Sequence, residues 1–67
     1  MTIEEAKTQL NKMVVYNGKP DLYKLTACIL RKNKRGYYYR AEIQDIKNGN
    51  SVLIVSLNDI STADITL

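Results

Sequence analysis

The pair Asn48-Gly49, set between two β-rich runs, constrains this chain more than any other feature. The stretch from Gly36 to Ile60 reads GYYYRAEIQDIKNGNSVLIVSLNDI, and an Asn-Gly pair between such runs is the strongest short-range signal for a β-hairpin. Lys47-Asn48-Gly49-Asn50 is therefore read as a turn, with Tyr37–Ile46 as the strand before it and Val52–Val55 as the strand after. A chain organised around this hairpin is built from strands.

The residues upstream add a helix and two more strands. Thr2 and Glu5 have the Thr-x-x-Glu spacing of a capping box, and Ile3, Ala6, Leu10 and Met13 recur at helical intervals. This predicts a helix over residues 2–12, too short to be stable in water alone, so its apolar stripe must dock. Met13–Tyr16 is a short strand, Asn17–Asp21 a turn containing Pro20, and Leu22–Arg31 the next strand. Strict alternation puts Leu25, Ala27 and Ile29 on one face of it and Lys24, Thr26, Cys28 and Leu30 on the other. Lys32–Gly36 is a polar turn. In the strand that follows, Tyr37, Tyr39, Ala41 and Ile43 form the face expected in the core, and Tyr38, Arg40, Glu42 and Gln44 the wet face.

Val52-Leu53-Ile54-Val55 is apolar on both faces, the pattern of a strand covered on both sides. The sheet interior covers one face in this reading, and the helix stripe, or a dimer partner, the other. Leu57–Ile60 is a tight turn organised by Asp59 and leading into a last short strand, and residues 61–67 are edge-like or frayed.

With 67 residues there is room for a single domain, residues 1–67. The expected fold is mainly β with α+β character. A helix over 2–12 precedes a small antiparallel SH3-like β-barrel of four to five strands over 13–62, and a helix packed on an open antiparallel sheet is the alternative. The single cysteine excludes an intrachain disulfide, no signal peptide is visible, and no apolar run is long enough to span a bilayer. These features predict a cytoplasmic protein without a membrane partner, a monomer or weak homodimer.

The segment from 36 to 60 resembles Tudor-type members of the SH3-like barrels. The match is Tyr38-Tyr39-Arg40-Ala41-Glu42-Ile43, then a turn, then Val55-Ser56-Leu57-Asn58-Asp59-Ile60. Leu57 and Ile60 stand where that family places aromatic residues, and Ser61 where it places glycine. The resemblance therefore implies the fold and not a cage for methylated lysine or arginine. In its richness in Lys, Ile and Asn the chain also resembles small proteins of low-GC Gram-positive bacteria and their mobile elements, which implies no activity.

Charge is distributed unevenly. Residues 1–40 carry nine Lys/Arg against three Asp/Glu, whereas residues 41–67 carry one Lys against four Asp/Glu. Arg31, Lys32, Lys34 and Arg35 at the hairpin turn, with Arg40 on the next strand, are the candidate anion or nucleic-acid contacts, since each phosphate neutralised releases counterions. Tyr38, on the wet face beside Arg40, is placed to stack on a base. The bland account is a solvated hairpin tip whose lysines block edge association. The alternative function is a peptide or protein module with a groove lined by Tyr16, Tyr23 and Tyr38; against it, tyrosine is a good strand former that covers thin cores.

Catalysis finds little support. The chain has no histidine, which removes the commonest general base and metal ligand, and Cys28 has no adjacent base to make it a nucleophile. The acids Glu42, Asp45, Asp59 and Asp64 lack calcium-loop spacing, and Asn48-Gly49-Asn50 lacks the lysine and serine of a phosphate loop. The expectation is a non-catalytic binding module with no cofactor and no metal.

Overall fold

The computed structural model describes residues 1–63, so Asp64 and the end of the segment expected to fray lie outside the described residues. The capping box forms as its spacing predicts. The Thr2 hydroxyl accepts from the Glu5 N–H at 3.1 Å, and Glu5 Oε1 accepts from the Thr2 N–H at 3.1 Å. Helix α1 spans Ile3–Gln9, ending earlier than its apolar stripe suggests. Asn11 ends it by adopting a φ of 65°, a left-handed conformation that asparagine tolerates better than most residues. The Asn11 N–H then donates to the Leu25 carbonyl at 2.7 Å, turning the chain into the sheet.

Five strands follow: β1 (Met13–Tyr16), β2 (Leu22–Asn33), β3 (Gly36–Asp45), β4 (Ser51–Ser56) and β5 (Ile60–Thr62), with a 3-10 turn, η1 (Leu57–Asp59), before the last. All pairings are antiparallel and the strand order is β4-β3-β2-β1-β5. The predicted β3–β4 hairpin is present. Asp45 anchors its loop by accepting from the Asn48 N–H at 3.2 Å and from the Asn48 amide at 3.0 Å, and Gly49 takes a φ of 84°.

The sheet is open, not the closed barrel expected. Among the described residues no ladder joins its edges β4 and β5. It is nonetheless curled. A flat five-stranded sheet holds its edges about 19 Å apart at 4.8 Å per strand spacing. The four steps from Ser56 to Ile60 span at most about 14 Å. The curl brings Val14, Leu25, Ala41, Ile43, Val55, Leu57 and Ile60 into one core with Ala6 of α1. Ser56, not Asp59, organises η1: its hydroxyl accepts from the Asn58 N–H at 3.2 Å.

Two register details depart from simple alternation. Between Leu25 and Ala27 the β2–β3 ladder shifts by one residue, a bulge at Thr26. The Thr26 hydroxyl lies 3.1 Å from the Glu42 carbonyl and 2.9 Å from its carboxylate, both acceptors. Beyond the bulge the faces of β2 exchange. Cys28, opposite buried Ala41, joins the core face, and Ala27 and Ile29 move to the outer face. The second departure concerns β4. Helix α1 packs on β2 rather than on β4, and Val52, Leu53 and Ile54 remain exposed. Ala6 seats the helix on the core face, with Leu25 and Ile43, whereas Val52 and Ile54, opposite Gln44 and Glu42, point to the other face of the sheet. Among the described residues no helix is long and apolar enough to cross a membrane.

Candidate nucleic-acid interface

β2 and β3 outrun their neighbours. β1 pairs with β2 only at Leu22–Lys24, and β4 pairs with β3 only at Arg40–Asp45. Four residue pairs, from Leu30↔Tyr39 to Asn33↔Gly36, therefore form a two-stranded ribbon with both edges free of strand partners among the described residues. At 3.3 Å per residue the ribbon is about 13 Å long. The long axis of the molecule, 41 Å against 25 and 20 Å for the others, accommodates this arm.

The arm holds its own tip. Asn33 Oδ1 accepts from the Arg35 N–H at 2.8 Å, closing the turn, and Gly36 takes a φ of 126°, which side-chain-bearing residues rarely adopt. No acidic residue occurs between Leu22 and Ala41. Among the described residues the one ion pair is Lys47–Asp21, so none of the arm's cations is neutralised by a carboxylate.

The ladder sorts the predicted site residues by face, because directly opposed residues of an antiparallel pair point the same way. Arg31 opposes Tyr38 and Ile29 opposes Arg40, so Arg31, Tyr38 and Arg40 share the outer face. Lys32 and Tyr37 oppose each other on the other face, and Lys34 and Arg35 form the tip. The expected burial of Tyr37 and Tyr39 does not occur. Their face is the core face at Ala41 and Ile43, but the body ends before it reaches them, and Tyr37 is 69% exposed, more than Tyr38 at 39%. Leu30 is exposed for the same reason.

A shallow hollow of about 280 Å³ lies where β4 leaves the side of β3. Tyr38, Tyr39 and Arg40 line it from β3, and Ser56, Leu57 and Asn58 from the departing chain. The tyrosines proposed to line one groove are separated. Tyr23 is buried in the core, and its ring meets that of Tyr16 edge to face at 5.7 Å between centroids. Arg31, the partner of Tyr38, lies eight residues along β2 from Tyr23, roughly 26 Å at the strand rise. Tyr16 and Tyr23 therefore act in packing, apart from Tyr38.

Cys28 is half-buried, and burial pushes its thiol up, with nearby Lys7 drawing it partly back down. A thiol held protonated is a poor nucleophile. Among the described residues no three His, Cys, Asp or Glu side chains converge as metal ligands.

Alternation and turn signals alone do not mark the arm as a free element. Its local signal is the acid-free run from Leu22 to Ala41, in which apolar residues continue to Leu30 before the turn and aromatic residues resume at Tyr37 after it. Comparison with known protein families, with curated proteins and with solved structures yields no match.

Proposed function

We propose that this protein is a non-catalytic nucleic-acid-binding module, acting in the cytoplasm, that meets its ligand with the β2–β3 arm. The observation that carries this reading is the set of five cations, Arg31, Lys32, Lys34, Arg35 and Arg40, on or at the base of an acid-free ribbon and free of ion pairs among the described residues. Lysines that only guard an edge against association need not be gathered on one projection. Phosphate contact also accounts for Tyr38 between Arg31 and Arg40, since tyrosine offers either a ring or a hydroxyl to a nucleic acid. If all five cations meet phosphates, affinity falls by roughly 500-fold between about 50 and 200 mM salt on a duplex.

The test is an amide-resolved NMR titration with a mixed pool of short DNA and RNA, at low and then physiological salt. Salt-sensitive shifts clustered at residues 30–40, abolished in Arg31→Ala/Arg35→Ala, are expected. Binding that survives both substitutions removes the arm from the reading. A second reading, an extended peptide partner, is favoured by the hollow beside the free edge of β3. It predicts salt-tolerant binding that depends on Tyr38.

A further inference from the structure

We propose that the arm takes B-form duplex DNA by entering its major groove, an inference that rests on the nucleic-acid reading above. The distribution of charge around the ribbon points to this form of ligand. Arg31 and Arg40 lie on the outer face, Lys32 on the opposite face, and Lys34 and Arg35 at the tip between them. A single strand tracking across one face leaves the cations of the other face without phosphates. A groove has two phosphate walls, and a ribbon entering it tip first meets one wall with each face.

The dimensions agree. Sheets stack about 10 Å apart, so a ribbon with its side chains is a slab about 10 Å thick, and the B-form major groove is about 12 Å wide. The groove is about 8.5 Å deep, and the four free residue pairs make an arm of about 13 Å, long enough to bring the tip to the floor before the body meets the backbone. The major groove of A-form RNA is too narrow and deep for side chains to read, so duplex RNA does not offer the same site.

Most of the exposed arm residues then have a partner. Arg31, Arg40 and Lys32 meet phosphates, and the Tyr38 hydroxyl donates to a phosphate oxygen of the outer-face wall. Arg35, the one guanidinium at the tip, is the residue positioned to approach base edges, where guanine offers two acceptors. Leu30 and Tyr37, exposed on the Lys32 face, supply apolar contact to sugars and to thymine methyl groups.

The experiment is a fluorescence anisotropy titration of the full chain with three labelled probes: a short DNA duplex, the RNA duplex of the same sequence, and one DNA strand alone. It is run at about 50 and about 200 mM salt. The DNA duplex is expected to bind at least about tenfold tighter than either other probe. Lys32→Gln and Arg31→Gln, on opposite faces, should each reduce the salt slope by about one, and Lys32→Arg should restore it. Circular dichroism of each variant checks that the ribbon is intact. Equal or tighter binding of the single strand or the RNA duplex overturns the groove proposal and leaves the nucleic-acid reading standing. A Lys32→Gln variant that binds like the parent while Arg31→Gln weakens also overturns it, because binding is then one-faced. Failure of all three probes to bind overturns both.

Discussion

Lys32 and Tyr37 face each other directly across the β2–β3 ribbon, with the ammonium nitrogen 5.5 Å from the centre of the ring. The pair lies beyond the core, so its stability contribution is that of an exposed cation–π contact, about 0.5–1 kcal/mol. A double-mutant cycle with Lys32→Gln and Tyr37→Leu, read by urea denaturation, should return a coupling of that size. A coupling indistinguishable from zero would mean that the ribbon is held by its backbone ladder and tip alone.

The N-terminus of α1 makes the fold sensitive to acid. Hydrogen bonds from Thr2, its backbone N–H first and its hydroxyl second, hold the Glu5 carboxyl below its ordinary value of 4.5. A depressed folded value means that the stabilisation is fully present above pH 4.5 and is lost as pH falls through the lower, folded value. Stability measured against pH should therefore decline on that limb in the parent and be flatter there in Glu5→Gln. Thr2→Ala should cost about 1 kcal/mol at neutral pH.

Ile43 and Ile54 test how unequal the two faces of the sheet are. Ile43 is fully buried and Ile54 is 40% exposed on the open edge strand β4. Ile43→Ala should cost about 2–5 kcal/mol, a large fraction of the roughly 3–10 kcal/mol available to a domain of this size. Ile54→Ala should cost less than about 1 kcal/mol. Chemical denaturation of both variants decides this. Equal losses would mean that β4 is covered in solution.

Tyr23 should contribute an alkaline limb. Burial pushes its phenol above the ordinary value of 10.0, and the charges of Asp45 and Asp21 add to the effect. A raised folded value gives stabilisation that is fully present below pH 10.0 and is lost as pH rises through the higher, folded value. Tyr23→Phe should remove that dependence while keeping the edge-to-face contact with Tyr16. An unchanged alkaline profile would assign the limb to other groups, Cys28 first, since burial raises its thiol as well.

Features written between near neighbours were legible in the chain. The Thr2–Glu5 spacing gives the helix start, Asn48-Gly49 the hairpin, and the alternation of β3 the burial of Ala41 and Ile43. The clustering of the cations was legible too, because Arg31, Lys32, Lys34, Arg35 and Arg40 fall within ten residues. Their division between two faces was not legible from composition alone. It follows from the pairing of Arg31 with Tyr38 and of Lys32 with Tyr37.

Capping, turns and alternation are settled by residues a few positions apart, so the sequence alone determined the class of element at nearly every position and the antiparallel order of β2, β3 and β4. How far one strand runs beside another depends on where distant segments stop. The chain leaves β4 at Ser56, and β1 ends its pairing at Lys24. Those two limits free the arm, expose Tyr37 and Leu30, and leave the sheet open. The bulge at Thr26 is likewise a negotiation between two strands, and it moves Cys28 into the core face. These outcomes belong to the assembled tertiary structure because each is fixed by contacts between segments that no local pattern records.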